Sequence, residues 1–424
     1  MSVTTIINAH IMDPETGRNE IGNIVIENGR ISDIGTNESR GEIIDAEGLI
    51  AAPGLIDLRV STGEPGSEHR ESIASAAIAA AAGGVTSIVL MPDTNPVIDD
   101  VSLVDFIHGR GAETTVNIHV AGALTKDLDG QTMTEIGLMS QAGAVMFSNG
   151  NAPVSDSLIM RRLLSYSSRF NALIASRPKD AALGMGSCAH ESDFSSRLGL
   201  PGEPGASERI VIDRDAALAE LTGGRLLVDL VSSREGVEAI KRAKSRDIDL
   251  SCSVSINHLA LNEIDIGDYR TFAKLDPPLR EESDRQSLLK AVNDGTIDVI
   301  VSCHDPRPAG QKRLPFKEAA YGAVGLEILL SAGLSQVADG QLDLMTFLAC
   351  VTCNPANLLD LPSGRLTVGA PADIVLFDQN EPWVCDSDTL LSKSNNTPFD
   401  GRRLTGRVVM TIVDGQVIFE RAKR

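Results

Sequence analysis

Short runs of β-branched residues open the chain. Residues 3–7 (VTTII), 24–27 (IVIE) and 31–34 (ISDI) read as strands. Asp13-Pro14, Glu27-Asn28-Gly29 and Gly35 read as the turns between them. The C-terminal stretch has the same texture. Residues 372–377 (ADIVLF) and 408–413 (VVMTIV) predict strands, and Asp414-Gly415 predicts a tight hairpin into 416–419 (QVIF). Two β-rich ends around a different middle predict one composite β-sandwich domain, residues 1–52 and 366–424.

The middle alternates. Apolar runs of strand length recur at 55–61, 86–91, 117–124, 144–148, 172–176, 225–231, 249–255 and 298–302. Helical periodicity marks 71–82, 155–170, 213–221, 235–243 and 282–292. Gly83-Gly84 and Gly223-Gly224 supply helix ends. Strands alternating with helices across 53–365 predict an α/β fold of the (β/α)8 TIM-barrel type. A doubly wound sheet is the alternative, but no glycine fingerprint follows the first strand. Residues 200–206 (LPGEPGA) predict the clearest long loop.

Composition narrows the partners. The 424 residues are 42% hydrophobic, enough for a large core. Lys plus Arg number 38 against 58 Asp plus Glu, a net charge of −20. That balance argues against a nucleic-acid backbone and against an anionic membrane surface. No apolar run is long enough to span a bilayer, and the start shows no secretory pattern, so a cytoplasmic chain is expected. Six cysteines are too few for a disulfide framework at this length. Seven histidines would suffice for a metal site, so their positions matter.

A barrel carries its chemistry at the C-terminal ends of its strands. Strand 1 ends in Asp57-Leu58-Arg59-Val60-Ser61-Thr62-Gly63-Glu64-Pro65-Gly66. Side-chain alternation predicts that Asp57, Arg59 and Ser61 share a face and point into the mouth. The run 52–57 (APGLID) followed by Gly63-Glu64-Pro65-Gly66 resembles the dihydroorotases of the amidohydrolase superfamily. So do residues 91–96 (MPDTNP), 274–280 (KLDPPLR), 294–299 (DGTIDV), 314–316 (LPF), 354–356 (NPA), 369–373 (GAPAD) and 392–399 (SKSNNTPF). The matches fall in order along nearly the whole chain.

The resemblance implies hydrolysis of a cyclic amide by a zinc-held hydroxide. It places metal ligands in a His-x-His on strand 1, an acid or carboxylated lysine after strand 4, a His ending each of strands 5 and 6, and an Asp ending strand 8. Those positions here hold Arg59 and Ser61, Asn149, Arg177, Leu230 and Cys303. Arginine has no lone pair to offer and does not deprotonate, leucine has no donor atom, and an amide is a poor zinc ligand. One thiol is not a site, because catalytic zinc takes about three protein ligands. No catalytic metal and no cofactor are expected, although active relatives carry zinc.

The substrate positions are altered as well. Gly63 stands where the resemblance puts the carboxylate-binding Arg, Asp93 replaces an Asn, and Arg307 replaces a His. Asp276, in the KLDPPLR run, belongs to the same altered set. Asp57, His258, His304 and Asp305 are expected to line the pocket. The two mouth arginines are expected to replace lost metal charge by pairing with Asp57, Asp93, Asp276 or Asp305.

Two cysteine features admit other chemistry. Cys303-His304 suggests a thiol nucleophile with its base, but adjacent strand residues face opposite ways. Cys350-x-x-Cys353 lies in a helical stretch with no second pair, which favours buried thiols.

Relatives of dihydroorotase include inactive chains that assemble with aspartate transcarbamoylase. The expectation is therefore a silent partner subunit of that enzyme in pyrimidine biosynthesis, within a homo- or hetero-oligomer. The alternatives are an active dihydroorotase or cyclic amidase with an atypical site, a non-enzymatic scaffold for another partner, and a binder of small anions.

Overall fold

The alternation of apolar runs and amphipathic stretches resolves into a parallel barrel. The computed structural model describes residues 3–246 and 248–422. Eight strands follow in chain order: Leu55–Val60, Val85–Leu90, Asn117–Ala123, Ala144–Ser148, Leu173–Ser176, Arg225–Val228, Leu250–Ser255 and Val299–Val301. Each pairs in parallel with its sequence neighbour, and helices on the outside make the crossovers. Ile56, Leu58, Val89, Met146, Leu227 and Val301 fill the interior, and Ala356 and Leu359 join them. It is a packed core and not a pore.

The barrel closes between strands 1 and 8 through few bonds. Val60 bridges His304, and the Ser61 amide donates to the His304 carbonyl at 2.8 Å. Asp57 completes this seam, accepting from the Ser302 amide at 3.3 Å and from the Arg59 amide at 3.1 Å.

The alanine-rich helix Ile73–Ala82 lets backbones approach closely. It ends where a Cβ on Gly83 would lie 2.1 Å from the Leu326 carbonyl oxygen. Residues 200–206 are not a plain loop. Gly202–Glu203 pairs with Ala189–His190, and helix Gly205–Thr222 starts within the segment. Pro204 has no amide to satisfy, which suits it to the position just before a helix.

Both chain ends share one second sheet. Its order is Gln416–Glu420, Arg403–Val413, Ile374–Val384, Ile50–Pro53, Val3–Asp13, Arg18–Glu27, Arg30–Thr36, with Glu42–Asp45 pairing beside Val3–Asp13. Asp414 and Gly415 turn at φ 47° and 73°, the geometry a two-residue hairpin needs. The far ends of the sheet meet at their tips, where a Cβ on Gly29 would be 2.9 Å from the Asp414 oxygen. Ile6, Ile24, Ile31, Ile374 and Ile412 form a core of its own inside this curl. Among the described residues no helix is long and apolar enough to cross a membrane.

Candidate functional site in the barrel mouth

The mouth is built at the strand ends, and a bulge in strand 1 decides what faces it. Its pairing with strand 2 shifts register between Asp57 and Val60. Ile56 and Leu58 point into the barrel, whereas beyond the shift Arg59 and Ser61 line the mouth. Strict alternation therefore fails here. Asp57 does not line the cavity as expected; it is fully buried in the seam, and burial lifts its pKa to about 6.

Two ion pairs close the mouth. Arg59 is buried and binds Asp229, while its other terminal nitrogen donates to Asn151 Oδ1 at 2.6 Å. Asp229 also accepts from the Ser253 hydroxyl at 2.9 Å. Burial works against charge on Arg59, and the Asp229 carboxylate more than restores it. Arg177 donates to Asp276 at 3.0 Å and to the Leu230 carbonyl at 3.4 Å, and Lys179 reaches the same Asp276 oxygen at 3.2 Å. Burial alone would raise the Asp276 carboxyl, but Arg177 and Lys179 outweigh it and hold it low.

Further acids and bases pair at the rim. Asp305 takes Arg307 at 2.7 Å on one oxygen and Arg70 at 2.9 Å on the other. Arg307 is further held by the Tyr321 carbonyl at 2.8 Å. Asp93 receives the Ser61 hydroxyl at 3.1 Å. The expected pairing of mouth arginines with acids is present for Asp276. Arg59 instead takes Asp229, which the sequence reading did not single out. Its sequence signal was adjacency to Leu230: a buried arginine in a mouth needs an acid on a neighbouring strand end.

The remaining ligand positions are spent on structure. The Asn149 carboxamide accepts from the Leu124 and Thr125 amides at 3.2 and 3.1 Å and donates to the Thr125 hydroxyl at 2.8 Å. Leu230 is fully buried at φ 66° within the interior cluster, and Asn149 and Leu230 do not line the cavity. Cys303 does line it, but burial pushes its thiol up to about 12. Its neighbour His304 accepts the Gly325 amide on Nδ1 at 3.2 Å and turns Nε2 toward Glu71 at 3.7 Å, so no thiol–imidazole dyad forms. His258 is buried with Nε2 on the Pro278 carbonyl at 3.2 Å, and burial lowers its pKa to about 4. Cys350 and Cys353 are buried thiols with pKa values lifted to about 12 and 11.

Zinc does not fit this donor set. Two guanidiniums, a hydroxyl, an engaged amide and a leucine provide no ligand group, and the one thiol, Cys303, falls short of the about three protein ligands that catalytic zinc takes. Among the described residues the one three-donor cluster is His190, Glu281 and Asp284, away from the mouth lining. There the Arg280 guanidinium occupies His190 Nδ1 at 3.0 Å.

The mouth is narrow as well. The cavity bounded by Arg59, Ser61, Asn257, His258, Asp276 and Cys303 is small, about 20 Å³. Gly63 sits in a tightened turn, in which the Ser67 amide donates to its carbonyl at 2.5 Å. A Cβ there would fall 1.8 Å from the Ser67 oxygen, so no side chain fits.

Comparison with known proteins agrees with the fold and the motif order. A model of the dihydro-orotase-like family matches residues 48–236, and one of the amidohydrolase family matches 228–418. The dihydroorotase of Wolbachia sp. subsp. Brugia malayi (strain TRS) is 38% identical over 422 residues, covering 97% of this chain and 95% of that protein. The dihydroorotase of Desulforapulum autotrophicum is 37% identical over 419 residues, covering 97% and 98%. Among solved structures, the L-hydantoinase (dihydropyrimidinase) from Arthrobacter aurescens superposes with a TM-score of 0.90 at 25% identity, covering 100% of this chain and 97% of that one. Fold, motif order and full-length identity together place the chain in the dihydroorotase-like family of the amidohydrolases.

Proposed function

We propose that this chain is a non-catalytic dihydroorotase-like subunit of pyrimidine biosynthesis, and that it serves as a structural partner of aspartate transcarbamoylase. The observation that carries the reading is the pair of ion pairs at the metal positions. Arg59–Asp229 and Arg177–Asp276 stand where a metal site would be, and about 20 Å³ is left beside them. The named dihydroorotase relatives support the pathway, and the altered ligand set supports the loss of chemistry. A barrel and terminal sheet that keep their fold without a metal-binding site are accounted for by a role at the surface.

Metal analysis of the purified chain, with an assay of dihydroorotate ring opening, tests the first half. The expected result is no stoichiometric zinc and no turnover. Stoichiometric zinc with turnover abolished by a chelator would overturn it. Size-exclusion chromatography with the aspartate transcarbamoylase of the same organism tests the second half. One large complex is expected, and separate elution at micromolar concentration would remove that partner.

A further inference from the structure

The core of the terminal domain is not closed on every side. Between strand Glu42–Asp45 and the hairpin Arg403–Val413/Gln416–Glu420 lies a groove of about 820 Å³, well apart from the barrel mouth. Ile44, Leu49 and Met410, each packed against the domain core, surface along it. Ile43 and Val417 stand about half exposed at 47% and 45% on its two sides. Among the described residues the first wall is an edge strand, since Glu42–Asp45 pairs only with Val3–Asp13; the second carries another edge, since Gln416–Glu420 pairs only with Arg403–Val413.

The charge on this groove has one sign among the described residues. Glu42, Asp45, Glu47 and Glu420 line it, and no described lysine or arginine does. None of the four enters an ion pair among the described residues, although acids elsewhere on the chain are extensively paired. Exposed edge strands are templates for a further strand, and natural proteins protect them with lysine, proline or a covering segment. Here the edge carries isoleucines flanked by carboxylates.

We propose that this groove docks an extended, basic segment of a partner protein. The segment adds a strand beside Glu42–Asp45, lays apolar side chains over Ile44 and Met410, and sets lysines or arginines against the four carboxylates. Backbone pairing would supply the geometry, and the alternation of apolar and basic residues would supply the selectivity. The inference stands apart from the reading of the barrel mouth, because turnover in the barrel would leave this surface unchanged.

The test uses the full chain and a fluorescent peptide of about eight alternating lysines and valines, long enough for one strand. Anisotropy should show saturable one-to-one binding. Hydrogen exchange should slow at the backbone of residues 42–45 on addition of the peptide. The double variant Glu42→Lys/Glu47→Lys should weaken binding by about tenfold or more, since like charges now face the peptide. The control Asp105→Lys/Glu238→Lys makes the same change in net charge at exposed helix positions and should bind as the parent does. Circular dichroism establishes that each variant is folded. The proposal is overturned if binding never saturates, if both double variants weaken it equally, if a glutamate–valine peptide binds as well, or if protection appears elsewhere and not at 42–45.

Discussion

Arg59 shows how one substitution recruits its surroundings. A buried guanidinium stays charged and must find an acid, and Asp229 is the acid it finds. Breaking that pair from one side should be costly. Asp229→Asn leaves Arg59 buried without a counter-ion and should destabilise the chain by about 3–5 kcal/mol in urea unfolding. The double variant Arg59→Met/Asp229→Asn should cost clearly less, because no unpaired charge remains and Asn can still accept from Ser253. Equal losses in the two variants would show that the pair contributes nothing as a pair. The replaced ligands at Arg59, Arg177 and Leu230 were legible in the sequence from their motif positions. Asp229 was not, since its importance arises only when strands 1 and 6 meet at the mouth.

At the level of elements, the strand 1 turn and the barrel seam set the limits. Gly63 lies in a turn with no room for a Cβ, so restoring the carboxylate-binding arginine would require the loop to move. Gly63→Ala should lower stability by about 1–3 kcal/mol through overpacking, read as a fall in Tm. Gly63→Arg should fail to create affinity for dihydroorotate in calorimetry. The seam predicts a pH dependence. Burial raises Asp57 from 3.8 to about 6. A carboxyl with a raised folded pKa binds its proton more tightly when folded. Its stabilisation is complete below the unfolded pKa and is lost as pH rises through the folded one. Tm should therefore fall between about pH 4 and pH 6. For Asp57 the two units amount to roughly 3 kcal/mol. Asp57→Asn should flatten that part of the profile, and an unchanged slope would refute the assignment. The bulge that turns Asp57 into the seam was invisible in the sequence, because alternation predicts the same face for Asp57 and Arg59 until a pairing partner shifts the register.

For the whole molecule, the prediction concerns metal linkage. A chain that binds zinc only when folded is stabilised by it, and a chelator lowers its Tm. With no ligand set at the mouth, Tm should be the same with added zinc, with chelator and with neither. A chelator-dependent fall would mean that a metal site exists after all. The barrel and the composite terminal sheet were both legible beforehand. Period-two and helical patterns are local, and 53–365 repeats them with short connections that leave few topologies open. The motif order was likewise written in residue identity, and arginine and leucine lack the donor atoms zinc requires wherever they are placed. Only the tertiary structure decided which acid answers which arginine, that Asn149 is spent on the loop after strand 3, and that an acid-lined groove opens in the terminal domain. Each of these depends on atoms brought together from distant parts of the chain, and packing at that range is set by the assembled layers and not by local pattern.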